Sequence, residues 1–185
     1  AAALSASEEF KWGAVAGAVT GGVAETASLA GAARAGLTLS EAAIIQKEAG
    51  WPLSVIKTLH SRKEFEIYKA AGLQPMKVNG KWALTRKINW KATDAKGRTN
   101  VERVEGGQPP VDENGVAYEL HHIGQLADAP FAVLTKTEHI SGGNKNILHW
   151  QGKDWKTQYD ESEFAKQRKE FWQAVLSIDL QAGRI

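Results

Sequence analysis

Residues 118–125 read Tyr-Glu-Leu-His-His-Ile-Gly-Gln, and the fold and chemistry of this chain are organised around that stretch. The chain has five histidines, and four of them fall between positions 121 and 149: His121, His122, His139 and His149. Imidazoles gathered in this way can bind a divalent metal and leave one ring free as a base near neutral pH. The fifth histidine, His60, lies far upstream beside a helix cap, and we expect a structural role for it.

The composition is that of a globular protein that can bury a core. The 185 residues are 43% hydrophobic and 24% charged, values that are ordinary for a soluble domain. The absence of cysteine excludes disulfides and thiolate metal sites. A metal must therefore be held by imidazole, carboxylate, carbonyl or water. The apolar run Trp12–Ala24 is shorter than the roughly 20 residues that span a bilayer, so stable membrane insertion is not expected.

The two ends of the chain suggest a division into two parts. The sequence opens Ala1–Ala2–Ala3, and its only methionine is Met76, so we expect a C-terminal piece of a longer polypeptide. Residues 1–38 are rich in Gly and Ala and are predicted to be a leader or linker. Residues 39–185 are predicted to be the working domain.

Positive charge is concentrated just before the histidines. Residues 51–110 carry 12 basic and 5 acidic side chains, whereas residues 111–185 carry 8 basic and 11 acidic ones. A basic surface beside a metal site suits a polyanionic substrate. The alternative is a solvated face without a partner.

Capping patterns predict helices in the first half of the working domain. Ser40 opens a short helix that stops at Gly50. Ser61 and Glu64 form a capping box for a second helix that runs to Ala71. Asn79–Gly80 then predicts a type I′ hairpin. This basic ribbon carries Lys77, Lys81, Arg86, Lys87 and Lys91 interleaved with Trp82 and Trp90, a pattern that suits binding of a nucleic-acid backbone, although the tryptophans, Trp82 above all, could equally belong to the core.

The second half is predicted to begin with a loop, Thr93–Pro110. Val116–His122 and Phe131–Leu134 are predicted strands, followed by helical segments after Thr135 or Thr137 that are interrupted at residues 141–144. The clearest helix begins after Asp160, with its apolar stripe over the core. Neighbouring strand residues face opposite ways, so His121 and His122 reach one cleft only at a strand end or bulge, which Gly124 favours.

These motifs resemble the LHH group of the HNH/endonuclease VII nuclease superfamily. The resemblance covers roughly residues 97–150 and leaves residues 1–75 and the terminal helix outside it. It implies an α+β fold in which a helical N-terminal part and a basic β-hairpin precede a ββα-metal core closed by a C-terminal helix. It rests, in order, on Thr99–Asn100, Arg103, Gly106 or Gly107, Pro109 or Pro110, Glu119–Gln125, Glu138–His139 and Leu148–His149.

The resemblance also implies roles for individual residues. His121, His139 and His149 would hold one divalent metal ion, Mg²⁺ or Zn²⁺, and His122 would be the general base that activates water. In colicin-type relatives the last two histidines lie four apart, but here ten positions separate them, so Asn144 and Asn146 stay open as third ligands. The remaining candidates are Glu119 and Gln125, which would orient a ligand or the base, and Arg103, which would hold flanking phosphates or form a salt bridge.

The expected function is that of a DNA-cleaving endonuclease toxin with little sequence specificity. Such domains form the C-terminal part of secreted or cell-surface bacterial toxins that act in the target-cell cytoplasm. The expected partners are DNA and a cognate immunity protein, with the domain otherwise monomeric. An RNase on the same scaffold, or a non-catalytic binding module with a structural metal, are the alternatives.

Overall fold

The computed structural model describes residues 36–152 and 160–185. The predicted leader, residues 1–38, lies almost wholly outside the described residues, as does its apolar run Trp12–Ala24. In the described part of the chain, no helix is both long and apolar enough to cross a membrane.

The helical part contains three helices among the described residues: α1 (Leu39–Ala49), α2 (Leu53–Ile56) and α3 (Arg62–Ala70). Helix α1 is capped by Thr38 rather than by Ser40, because Thr38 forms a complete capping box with Glu41. Gly50 ends α1 at a φ of 64°, as its sequence position predicts.

The predicted hairpin is present as β1 (Gln74–Val78) and β2 (Lys81–Thr85), which pair antiparallel. Asn79 and Gly80 have φ angles of 50° and 75°, as a type I′ turn requires. The segment predicted as a loop contains a short helix, α4 (Asn100–Glu105), so that prediction is wrong in part. Thr99 and Glu102 form its capping box.

Strands β3 (Glu119–His122) and β4 (Phe131–Leu134) form an antiparallel pair in which His121 lies opposite Ala132. Strand β4 also runs parallel to β2, through Leu84 and Ala132. The hairpin and this pair thereby form one four-stranded sheet, in the order β1-β2-β4-β3, with β3 at an edge. The helices that follow are α5 (Lys136–Ile140), α6 (Asn144–Leu148) and α7 (Glu161–Gln181).

Each face of the sheet is covered by helices. Leu84, Ala132 and Leu134 pack with residues of α1–α3 in one buried cluster. Ala83, Leu120 and Val133 pack on the other face against the α7 stripe of Phe171, Trp172, Val175 and Leu176. The expected α+β architecture, with a ββα unit closed by a C-terminal helix, is confirmed.

Candidate metal centre

Three histidines converge at the edge of the sheet. His121 comes from β3, His139 from α5, and His149 from the residue that ends α6. One nitrogen from each ring lies within 4.8 Å of the others, and Nε2 of His139 is 3.2 Å from Nδ1 of His121. The cluster therefore unites the three residues for which the resemblance implied metal binding.

Two of the rings are oriented through their second nitrogen. Nδ1 of His139 lies 2.5 Å from Oε2 of Glu119. Nδ1 of His149 donates to the carbonyl oxygen of Lys145 over 3.0 Å. A proton on Nδ1 in each contact leaves Nε2 of the same ring to bind a metal. Proteins commonly orient metal-binding histidines in this way. Glu119 thus contacts a candidate ligand directly.

The helix that carries His139 is fixed from both sides. Thr135 and Glu138 form a capping box at its start. The guanidinium of Arg86 makes two hydrogen bonds to the Glu138 carboxylate, 2.8 and 3.0 Å long, and a third to the carbonyl oxygen of Ala71. Arg86 was predicted to belong to a nucleic-acid-binding ribbon, but its charge instead anchors α5.

The ten-residue interval between His139 and His149 is bridged by a sharp turn. Gly142 and Gly143 have φ angles of 62° and 84°, a region that glycine adopts without steric cost. The turn folds α6 back on α5, so the rings of His139 and His149 have centroids 4.8 Å apart. Asn144, which was considered as a ligand, donates its side-chain amide to the carbonyl oxygen of Glu138.

Burial and the neighbouring imidazoles disfavour protonation of two members of the cluster, His121 and His149. Burial lowers the pKa of His121 well below its ordinary value, and the neighbouring histidines lower it further. Burial also lowers the pKa of His149. Nε2 of His121 is buried and has no hydrogen-bond partner among the described residues. Metal binding requires neutral imidazole, and three nitrogen donors suit zinc or a related divalent ion while leaving coordination positions for water or substrate. The cluster therefore suits a divalent ion that accepts nitrogen ligands, whereas Mg²⁺, the other expected ion, prefers oxygen ligands.

His122 does not join this cluster. Its ring lies 4.7 Å, centroid to centroid, from each of Phe131 and Phe164, on the face of β3 opposite to His121. The expectation that both rings reach one cleft through a strand end or bulge is therefore wrong, because β3 keeps its regular alternation through His122. Burial lowers the pKa of His122 to about 4, although Asp128 opposes the shift.

The turn after the doublet is held by residues whose importance the sequence did not show. Glu64 is buried and accepts hydrogen bonds, each 2.6 Å long, from the backbone N–H groups of His60 and Gly124 and from the hydroxyl of Tyr68. The predicted capping box of Ser61 and Glu64 is therefore only half formed. The Ser61 hydroxyl accepts from Glu64 N, but the Glu64 carboxylate accepts from His60, Gly124 and Tyr68 instead of from Ser61 N.

Gly124 is confined by the backbone of the helical part. Its φ is 68°, and a Cβ at this position would lie 1.8 Å from the carbonyl oxygen of Thr58. Its own carbonyl oxygen accepts a hydrogen bond from Nε1 of Trp150, and Trp150 stacks on His60 at 3.9 Å. His60 therefore lies outside the metal cluster, in a packing contact.

Gln125 contacts a residue that the sequence did not predict, and Arg103 makes one of its two predicted contacts. The amide oxygen of Gln125 accepts from the backbone N–H of Gln151 over 2.8 Å, and its side chain is buried. The guanidinium of Arg103 donates to Asp94 over 2.6 Å and to the carbonyl oxygen of Pro109 over 2.9 Å. Of the two readings of Arg103, the structure shows the salt bridge.

A groove of about 570 Å³ adjoins the metal cluster. Glu119 and His139 line one part of it, and α7 contributes Phe164, Arg168 and Lys169. Gly107 and Pro109 border it as well. The groove follows edge strand β3, so it lies beside the candidate metal position.

A comparison with known protein families matches the part of the chain that contains the candidate metal centre. Residues 99–177 match the family LHH, described as a nuclease of the HNH/ENDO VII superfamily with conserved LHH. The match confirms the resemblance of this region to the LHH group, and the chain carries Leu-His-His at positions 120–122. The match extends into α7, so placing the terminal helix outside the resemblance was wrong. No curated protein and no solved structure matches the chain.

Proposed function

We propose that this protein is a metal-dependent endonuclease that hydrolyses phosphodiester bonds in DNA with little sequence specificity. The observation that carries the proposal is the convergence of His121, His139 and His149 within a region of the LHH nuclease family. A nuclease needs a means of stabilising charge on a phosphate and its leaving oxygen. A three-histidine site with open coordination positions supplies one.

The residues of the cluster have distinct tasks in this proposal. His121, His139 and His149 hold the ion, and Glu119 orients His139 through Nδ1. When bound, a divalent cation supplies a Lewis acid for a phosphate oxygen and for the leaving oxygen. These protein groups position the ion without contributing sequence recognition.

His122 is the proposed general base. Because its pKa is about 4, its imidazole is neutral at physiological pH and can accept a proton from water. Its ring contacts Phe164, which lines the groove beside His139. His122 adjoins this groove only through Phe164, so its role as base is proposed from its place in the Leu-His-His motif rather than from proximity to the metal cluster.

Cleavage assays on plasmid DNA test the proposal. Purified protein is incubated with Mg²⁺, Zn²⁺ or EDTA, beside single variants His121→Ala, His139→Ala, His149→Ala and His122→Ala. We expect cleavage that requires metal, reduced metal content in the first three variants, and normal metal content without cleavage in His122→Ala. A positioned base contributes roughly 10²–10⁴-fold in rate.

His60→Gln is the control, because it removes a histidine that lies outside the cluster and has no proposed role in cleavage. It should retain metal content and cleavage. The same set of proteins on RNA distinguishes a DNase from an RNase. Wild-type cleavage rates in His122→Ala would refute the base assignment, and absence of cleavage of both nucleic acids would refute the nuclease proposal.

We further propose that the domain is the toxin end of a secreted or cell-surface bacterial protein. The support is its resemblance to domains that act in the cytoplasm of competitor cells, each neutralised by an immunity protein. Induced expression in a bacterial host should stop growth and degrade the chromosome, and His122→Ala should abolish both effects. Co-expression of an adjacent gene should restore growth if it encodes the immunity protein, which we expect to form a complex with an otherwise monomeric domain.

A further inference from the structure

We propose that Arg168 and Lys169 of α7 bind backbone phosphates of the substrate strand in the groove along β3. The inference rests on the proposed nuclease function, because it assigns the strand path that leads to the metal cluster. It also moves the nucleic-acid contact from the basic ribbon, where the sequence placed it, to the terminal helix.

The first argument is the shared groove. Arg168 and Lys169 line the same cavity of about 570 Å³ as Glu119 and His139. A phosphodiester bound at His139 therefore has adjoining backbone within a space that these two cations border. Because β3 is an edge strand, this side of the sheet is open to a second chain.

The second argument is that both side chains are held in place. The guanidinium of Arg168 lies 4.6 Å from the ring centroid of Phe164, a cation–π contact. The alkyl chain of Lys169 packs over Gly107, where an added Cβ would lie only 3.3 Å from Lys169 Cε. Both charged ends are therefore presented from ordered stems.

The third argument is charge balance. Of the described residues that line the groove, Glu119 carries the only carboxylate, and it contacts His139. Arg168 and Lys169 form no ion pair within residues 36–152 and 160–185. In residues 51–110, the basic block of the sequence, several cations are by contrast neutralised by carboxylates: Arg62, Lys69, Arg86, Arg98 and Arg103. The groove thus retains positive charge that a phosphate backbone would balance.

Arg and Lys contacts to phosphates position a strand without reading its sequence. This agrees with the low sequence specificity proposed for the enzyme. The aromatic ring of Phe164 beneath Arg168 adds an apolar surface to the same wall, as in other grooves that follow a nucleic-acid backbone.

The test is the binding of a fluorescently labelled oligonucleotide, measured by anisotropy in EDTA so that no cleavage occurs. The double variant Arg168→Gln/Lys169→Gln is compared with wild type and with Lys166→Gln. Lys166 is an exposed lysine of α7 that does not line the groove, so its variant removes a charge from the same helix. Circular dichroism verifies that all three are folded.

Loss of two phosphate contacts should reduce the slope of log K against log salt by about 1.4 for a single strand and about 1.8 for duplex DNA. At about 0.1 M salt this corresponds to binding weaker by about 25- to 60-fold, with the difference vanishing near 1 M. Lys166→Gln should bind within about twofold of wild type. The charge-conserving pair Arg168→Lys/Lys169→Arg should recover most of the affinity, because each position keeps its cation.

Equal binding by the double variant and by Lys166→Gln, or no binding by wild type, would overturn the proposal. Cleavage by wild type is measured in parallel with metal present. Binding that depends on Arg168 and Lys169 without any cleavage would support this groove while refuting the nuclease proposal. Cleavage by wild type with an unchanged KM in the double variant would support the nuclease proposal and refute the phosphate contacts in this groove.

Discussion

The Glu64 carboxylate is expected to stabilise the whole domain, because it joins the helical part to the turn after the histidine doublet. It is 1% exposed and accepts three hydrogen bonds, from His60 N, Gly124 N and the hydroxyl of Tyr68. The bond to Gly124 spans 60 positions of the sequence.

The perturbation is Glu64→Gln, which keeps the volume of the side chain and so creates no cavity. Its amide oxygen can still accept from Gly124 N and Tyr68, but its NH₂ group then faces the N–H of His60. A buried donor left without an acceptor costs about 1–3 kcal/mol. We therefore expect the free energy of unfolding to fall by about 2 kcal/mol, and by more in Glu64→Ala, which strands all three donors.

The matched control is Glu66→Gln on the same helix. Glu66 has a side chain 49% exposed and pairs with Arg62 at a spacing of four residues. Exposed pairs of this kind contribute about 0.3–0.5 kcal/mol. The measurement is urea unfolding in EDTA, followed by tryptophan fluorescence, with the slope compared between variants. Equal free energies for Glu64→Gln and Glu66→Gln would refute the reasoning.

Three other predictions concern the same region. Burial raises the pKa of Glu64, so above pH 4.5 the native state holds more protons than the unfolded state. The contribution of Glu64 to the free energy of unfolding should therefore fall as the pH rises above 4.5. Glu64→Gln should remove this pH dependence from free energies of unfolding measured in urea at several pH values. Glu119→Gln should weaken metal binding by about 10- to 100-fold in competition with a chelating dye, whereas the exposed Glu113→Gln should not; equal affinities would exclude an orienting role for Glu119. Gly124→Ala should lower the free energy of unfolding by more than about 3 kcal/mol, because the new Cβ would clash with the backbone of Thr58. Gly142→Ala has open space around it and should lower it by only about 1–2 kcal/mol through backbone strain. Equal shifts of the thermal midpoint in the two variants would contradict the predicted clash.

Local chemistry explains what the sequence predicted well. Asn79–Gly80 specifies its turn through the φ angles that these residues tolerate, and Thr135 with Glu138 encodes the start of α5 through a cap. The three candidate ligand histidines were predicted through the resemblance to the LHH group, and the fold brings their rings together. Helix α4 was missed because six residues carry too little apolar periodicity, although Thr99 and Glu102 held its capping signal.

The pairing of charged side chains in the fold explains what the sequence could not show. The basic block predicted a polyanion surface, yet charge counts contain no information about which cations meet carboxylates in the fold. Asp94 illustrates the point. Burial disfavours its charge, but hydrogen bonds from Arg98 and Arg103 outweigh burial and hold its pKa well below the usual range. Arg98 and Arg103 are thereby neutralised within the protein. The terminal helix, for which the sequence predicted no functional role, instead contributes Arg168 and Lys169 to the groove.

The nuclease core depends on residues that lie before the region matched by the family. Arg86 fixes the helix of His139 through Glu138, and β2 extends the sheet by pairing with β4 at Ala132, opposite His121. Glu64 meanwhile binds the turn that follows His122. A metal site must hold its ligands in a fixed arrangement. Under the proposed function, the helical part and the hairpin would therefore support the three histidines, and the functional unit would be larger than the region that the family model matches.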